Sequence, residues 1–291
     1  MNELVLREDR DGVTTLTLNR ADKRNALNLA LWGELDAHVD AIAAAGDTAA
    51  QAIHWCLCLP DAPTGTLGAD GHPLRTDDPD SFMPPIPLPR RMWAASDVRF
   101  HAPIAAGAVI ARTSTLAAIK EKSGATGQLV FAEVEHETRA DGVLAVSERQ
   151  TIVFRAPAPV AAPAPAPVST DAPDLSAWTW RRDLVPSEAM LFRYSALTFN
   201  SHRIHYDLPY AREGEGYRGL VVHGPLTATL LLDLAQRELG ANALAAFTMR
   251  AQAPAFVGEP MHLVGRAKDG GWEMAAIGSD GRTIMAAEAK V

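Results

Sequence analysis

Three of the chain's nine histidines fall in one short stretch, residues 198–226, which reads TFNSHRIHYDLPYAREGEGYRGLVVHGPL. Its first part gathers polar and titratable groups: Asn200, His202, Arg203 and His205, then Tyr206 and Asp207. Its last part runs from the apolar Leu220, Val221 and Val222 through His223, Gly224 and Pro225 into a long apolar segment. Imidazole titrates near neutral pH and can act as a base. A proline at the first turn marks a helix N-terminus, whose open N–H groups and dipole favour negative charge. A base beside such amides suits chemistry in which charge develops on a carbonyl oxygen.

Two helices must hold these groups. The spacing predicts one over residues 188–199, started by Pro186 and Ser187 and apolar along Leu191, Tyr194 and Leu197. The second runs over residues 225–239 and stops at Gly240. Leu226, Ala228, Leu230, Leu231, Leu232, Leu234 and Ala235 make it apolar most of the way round, which marks a buried helix. Strands are expected over 96–102, 109–119, 129–138 and 143–154, with a hairpin turn at Asp141-Gly142. Four more are expected over 245–255, 261–268, 272–279 and 283–291.

Between these runs, residues 156–173 (APAPVAAPAPAPVSTDAP) form a Pro/Ala linker that spans rather than packs. Residues 48–89 are dense in Pro, Gly and Asp and read as a long ordered loop, of the kind that covers binding sites. His54 and His72 in it read as structural or exposed histidines. Cys56 and Cys58, in WCLCL, alternate as in a strand and read as buried, reduced thiols.

A net charge of -8 gives no electrostatic reason to expect nucleic acid or an anionic membrane surface as partner. No apolar run reaches membrane-spanning length, and MNELVLREDRDG lacks the apolar core of a signal peptide, so a cytoplasmic protein is expected. No histidine cluster backed by carboxylates has metal spacing, and no glycine-rich phosphate loop precedes a helix. No metal and no separate cofactor are therefore expected.

The sequence also repeats. VRFHAPIAAG at 98–107 and MRAQAPAFVG at 249–258 share Arg, Ala, Pro and Gly at the same spacing, each ahead of a run of strands. Duplication of a sheet packed on a helix follows. The second half has a full buried helix; the first offers only residues 88–95, a shortened one guarded by prolines.

A sheet wrapped around one long apolar helix, in tandem, is the hotdog architecture: α+β, antiparallel, with the complete helix in the C-terminal half. FRYSALTFNSHRIHYDLPYA followed by GLVVHGPL resembles the MaoC-like, R-specific hydratases of that superfamily. HWCLCLPDAPTG, PPIPLPRRMW, the linker and FNSHRIHYD are similar to mesaconyl-CoA or itaconyl-CoA hydratases and 3-hydroxyacyl-thioester dehydratases, over roughly residues 53–291. Residues 1–45 differ: VTTLTLNRADKRNALN followed by a helix over 28–42 resembles the start of a crotonase-family enoyl-CoA hydratase, without that family's later glycine-rich turn. The expected organisation is a crotonase-like appendage (1–47), an N-terminal hotdog half (48–155), the linker (156–173) and a catalytic C-terminal half (174–291).

The resemblance implies site roles. The R-specific hydratases carry D-x-N-P-x-H, whose Asp and His share a water. Its His falls on His205 and its Asp on Asn200, while His202 and Arg203 take the Asn and Pro places. An amide can hold water but cannot exchange a proton near neutral pH, which leaves the proton traffic to His205. Gly224 would offer its N–H to the thioester oxygen, or be needed only for packing. Arg203 would meet a substrate carboxylate, or else solvent or a diphosphate. His202, His223 and Tyr206 complete the expected substrate-binding set, with a structural role open for His223; Tyr206 or Asp207 would contribute a second acid, or else be a rim or capping residue. The implied activity is reversible hydration of a short branched or dicarboxylic 2-enoyl-CoA, the CoA belonging to the substrate. The alternatives are dehydration of 3-hydroxyacyl groups on acyl carrier protein, a non-catalytic acyl-thioester binding module, and a thioesterase using Asp207. A tandem pair already supplies the sheet that single hotdogs obtain by dimerising, so a homodimer is an option rather than a requirement.

Overall fold

The apolar run after His223 forms the helix around which the architecture is built. In the computed structural model, residues 48–60, 62–75, 78, 81–124, 127–156 and 173–291 are described, with the backbone of 5–10 and 13–18. Helix α1 is Glu188–Thr198 and helix α2 is Gly224–Leu239. Ser187 caps α1, its hydroxyl accepting from the Met190 N–H, and Phe199 closes it in a left-handed conformation (φ 49°). Pro225 opens α2 and Gly240 follows it, as expected.

Residues 1–49 and 103–109 form one compact unit, and 50–102 with 110–291 another. In the first, β1 (Val5–Arg10) and β2 (Val13–Leu18) pair antiparallel, from Val5 opposite Leu18 to Arg10 opposite Val13. The helix expected over 28–42 lies outside the described residues, as does most of the 156–173 linker.

The second unit is a nine-stranded antiparallel sheet. Its strands are β3 (Arg90–Phe100), β4 (Ile110–Gly124), β5 (Gly127–Ala140), β6 (Val143–Arg155), β7 (Trp180–Leu184), β8 (Ala246–Ala251), β9 (Met261–Lys268), β10 (Gly271–Gly278) and β11 (Thr283–Lys290). Their order is β4-β5-β6-β3-β8-β11-β10-β9-β7. The runs β3–β6 and β8–β11 thus share one order and meet where β3 pairs β8. There Asp97 lies opposite Thr248, its own counterpart in the repeat. The match extends to detail. A register shift falls between Thr138 and Arg139 in one run and between Ala276 and Ile277 in the other. The N–H groups of His101 and Ala102 both reach the Ala145 carbonyl, as those of Gln252 and Ala253 reach Ile284.

Two expectations are corrected. Residues 88–95 are not a short helix: Leu88 is a buried loop residue and β3 begins at Arg90. Trp93 is large and the adjoining prolines lack N–H donors, so the stretch serves as a sheet strand with a register shift after Trp93. Nor do Cys56 and Cys58 alternate in a strand. Residues Ile53–Cys56 form a 3-10 turn entered through Ala52 at φ 86°, Cys56 is half-buried and Cys58 exposed. Three alternating apolar residues are too few to hold a strand with no neighbour to pair with.

The main core is the contact of α2 with the sheet. Leu231 and Ala235 are fully buried against a set that includes Phe247, Leu263, Met274 and Ala276. Burying each such leucine contributes about 1.5–3 kcal/mol. Under β5 and β6 the cover is a loop instead: Ile86 and Leu88 pack on Val130, Ala132 and Phe154.

Candidate active site

The stretch between the helices is held from both ends. The Val221 N–H donates to the Ile204 carbonyl (3.0 Å), and the Asn200 N–H to Ser195 (2.9 Å). Residues Arg203–His205 make a 3-10 turn between these ties, which buries His205. The His205 Nδ1 lies 2.7 Å from the Val221 carbonyl. A carbonyl only accepts, so Nδ1 carries the proton and Nε2 the lone pair. Nε2 has no hydrogen-bonding partner among the described residues, and His205 lines a cavity of about 1500 Å³. Burial, helped by the nearby His223, holds the imidazole well below its ordinary pKa.

His223 lies behind His205. It is fully buried, its ring stacked on His205 at 3.6 Å between centroids, with Nε2 2.9 Å from the Ser195 hydroxyl. Burial and the neighbouring His202 push its pKa down to about 3. It is not among the cavity-lining residues, and the geometry fits support of the His205 ring.

Gly224, the first residue of α2, lines the same cavity. Its N–H precedes the intrahelical bonds and is one of those a helix leaves open. A Cβ here would meet nothing closer than Trp93 Cε3 at 3.9 Å, an ordinary contact, so close packing does not explain the glycine. Asn200 also lines the cavity, its Oδ1 accepting from the His202 N–H at 3.0 Å. That bond leaves the amide nitrogen to face other partners.

Arg203 is placed elsewhere. Its guanidinium donates to the Asp207 carboxylate through Nε (3.0 Å) and Nη2 (2.6 Å) and to the Ala69 carbonyl through Nη1 (2.9 Å), over the Tyr210 ring. Neither Arg203 nor Asp207 lines the cavity. Tyr206 stands at its rim, more than half exposed, its hydroxyl donating to Ser201.

His202 joins a group that spacing in the sequence does not disclose. Its Nε2 is 2.8 Å from Glu215 Oε1, with both side chains buried. Glu215 follows the π-helical turn Tyr210–Gly214. The His72 ring lies 4.1 Å from that of His202, and His72 Nδ1 is 3.0 Å from Asp70 Oδ2. Burial takes the His72 pKa down to about 4 despite Asp70, and for Asp70 the His72 contacts overcome burial and hold the carboxyl at about 2. The loop carrying this pair is fixed by Gly71: a Cβ there would stand 2.0 Å from the Ser201 carbonyl oxygen, and its φ of 86° is a glycine conformation. Asp70, His72 and His202 offer metal-ligand atoms within 4.8 Å of one another, atoms that hydrogen bonds within the two carboxylate–imidazole pairs also bring close.

A second group outside the expected set lines the cavity from the first half of the sheet. Glu148 is buried and accepts from Ser96 Oγ (2.5 Å) and Trp55 Nε1 (3.0 Å), with His54 Nε2 at 3.5 Å. His54, read from the sequence as structural or exposed, is buried and lines the cavity.

A tandem hotdog whose cavity holds a neutral imidazole near the start of the buried helix suits acid–base chemistry on an acyl thioester. Residues 51–257 match the family of hydroxyacyl-thioester dehydratase type 2, and the chain belongs to that family. It is 44% identical over 235 residues to the mesaconyl-C(4)-CoA hydratase of Chloroflexus aurantiacus, covering 80% of each chain. It is 26% identical over 239 residues to the mitochondrial hydroxyacyl-thioester dehydratase type 2 of Schizosaccharomyces pombe, covering 72% of this chain and 75% of that one. The fold is that of the MaoC-like dehydratase of Phytophthora capsici (TM-score 0.54, 16% identity, 74% and 78% covered). The protein is an enzyme of the hydratase and dehydratase type, exchanging water with a 2-enoyl thioester. Among the described residues no helix is long and apolar enough to cross a membrane.

Proposed function

We propose that the substrate is a C4-linked branched dicarboxylic enoyl-CoA of the mesaconyl type, with itaconyl-CoA the next candidate. The observation that carries this reading is the 44% identity to mesaconyl-C(4)-CoA hydratase across 80% of both chains. Arg91 supports it. It lines the cavity close enough to His72 to depress that imidazole, burial lowers its own pKa, and its guanidinium has no hydrogen-bonded acceptor among the described residues. A carboxylate on the β carbon would complete it. Arg203, already engaged by Asp207, is the weaker candidate for that role.

In this reading the thioester oxygen sits against the Gly224 N–H at the positive end of α2. Water held by Asn200 gives a proton to His205 Nε2 as its oxygen bonds to the β carbon. The enolate charge that forms is met by the amide and the helix dipole, and a proton delivered to the α carbon completes the addition. The chemistry is acid–base throughout, so no cofactor beyond the substrate's own CoA is proposed. The whole chain is proposed to work in the cytoplasm without nucleic acid, as an appendage (1–47), two sheet halves (48–155 and 174–291) and the linker between them (156–173), with or without dimerisation.

The test is selectivity. Mesaconyl-C4-CoA, itaconyl-CoA, crotonyl-CoA and crotonyl groups on acyl carrier protein are offered in turn, and loss of enoyl absorbance is followed. The expected result is highest kcat/KM on the dicarboxylic thioesters. Arg91→Met should raise KM for mesaconyl-C4-CoA at least about tenfold, the loss of about 1.4 kcal/mol, and leave crotonyl-CoA unchanged. Preference for crotonyl-CoA or for the carrier-bound group would reject the dicarboxylic reading.

A further inference from the structure

Hydration needs two proton positions, one at the water and one at the α carbon. Asn200, an amide, supplies neither. Among the described residues, His202 and Glu215 are a buried imidazole–carboxylate pair that lines the same cavity as His205, Asn200 and Gly224. The His202 ring is 5.5 Å from that of His205 between centroids and nearly perpendicular to it, at 87°. Both imidazoles thus line one cavity, in edge-to-face contact with each other.

Each ring is fixed by a different kind of partner. His205 Nδ1 faces the Val221 carbonyl, which leaves Nε2 as an acceptor. His202 Nε2 faces the Glu215 carboxylate at 2.8 Å, which compensates a positive charge on that ring. One imidazole is thus arranged to take a proton and the other to carry one. His202 is further held by the Asn200 side chain on its N–H and by the His72 ring at 4.1 Å.

We propose that His202, held by Glu215, is the acid that protonates the α carbon, so that His202 is catalytic and Glu215 a positioning residue. His205 Nε2 takes a proton from water while the water oxygen bonds to the β carbon. The π electrons move onto the thioester as an enolate. His202, its Nε2–H kept on Glu215, then gives its Nδ1 proton to the α carbon and becomes neutral, and the proton on His205 returns to His202 Nδ1 through cavity water. One water is added and both imidazoles end as they began. Asn200 in this arrangement orients the water and the His202 backbone, while the acid comes from the His202–Glu215 pair. The proposal rests on the hydro-lyase chemistry rather than on the choice of acyl group, so preference for another enoyl-CoA leaves its test in place.

That test separates the two proton positions. The hydration product made by the unmodified enzyme from its preferred enoyl-CoA is incubated in D2O with each variant, and deuterium at the α carbon and release of enoyl-CoA are followed together. In His205→Gln, elimination should fall at least about a hundredfold while α-deuteration, for which His202 passes its resting proton to solvent instead of to His205, falls less than about tenfold. In His202→Gln and Glu215→Gln, α-deuteration should itself fall about a hundredfold. Glu215→Asp should restore part of it, which a purely structural carboxylate would not do selectively. Glu215→Gln is nearly isosteric and can still accept from Nε2–H, so it tests the charge if His202→Gln fails to fold. Deuteration at the full rate in Glu215→Gln, or its loss together with elimination in His205→Gln, would overturn the proposal in favour of a single base.

Discussion

Matched places on the two runs of strands carry opposite chemistry. Register sets Glu148 opposite Val98 and Ala287 opposite Met249, and it sets Gln150 opposite Ser96 and Ala289 opposite Phe247. One strand further out, His136 corresponds to Met274 and Thr138 to Ala276. Glu148, Gln150, His136 and Thr138 line the cavity. Ala287, Ala289, Met274 and Ala276 are buried in the core under α2. The backbone is the same and the cover differs. Where a helix lies on the sheet, the inner face must be apolar. Where no helix among the described residues lies on it, the same face is free to be polar, and the cavity opens there. One half supplies the helix and its open amides; the other supplies the room.

The comparison breaks most visibly if the chemistry is exchanged. Ala287→Glu would bury an unpaired carboxylate under α2 and should cost at least about 3 kcal/mol, or prevent folding. Urea unfolding checks it; a loss under about 1 kcal/mol would mean the two faces are not distinct. Glu148→Ala should cost less, about 1–3 kcal/mol, because the Ser96 and Trp55 donors lose their acceptor without an added buried charge.

Acid should act through the buried neutral histidines. His223, with a folded pKa of about 3, and His72, at about 4, bind protons in the unfolded chain first. Stability is therefore full above pH 6.5 and lost as pH falls from there towards these values. Unfolding free energies between pH 8 and 4 should decline monotonically, and a rise on acidification would contradict the burial of these rings as neutral groups. The smallest effect is expected at Gly224→Ala. The added methyl reaches only Trp93 at 3.9 Å and the N–H remains, so kcat should stay within about fivefold. A loss of a hundredfold or more would give the glycine a role other than its amide.

Much of this was legible in the chain. The unbroken apolar run 226–235 announced α2, and Ser187 and Gly240 marked helix ends that the structure places within a residue or two. The alternation of β9–β11 gave strands close to their observed bounds. The repeat motif led to a duplication that register then extended to matched bulges. Local pattern failed where non-local partners decide. Leu88 is held by Phe154 and its neighbours, and β3 by β6 and β8, none of them visible in the spacing of residues 88–95. The expected site residues His205, Asn200 and Gly224 come together at one cavity, whereas Arg203 is engaged with Asp207 and His223 lies behind His205. Glu215, Glu148 and the Asp70–His72 pair had no motif to announce them, because their partners are brought to them by the fold. A carboxylate thirteen residues from its histidine, as Glu215 is from His202, has no recognisable spacing until a π-helical turn delivers it.

The central claim is that His205, neutral and with its Nε2 lone pair free, is the base for water addition. Steady-state hydration of mesaconyl-C4-CoA at pH 7.5 by the unmodified enzyme and by His205→Ala measures it directly. The expected result is a fall in kcat of about a thousandfold with a folded, substrate-binding variant. A His205→Ala enzyme with unchanged turnover would contradict it.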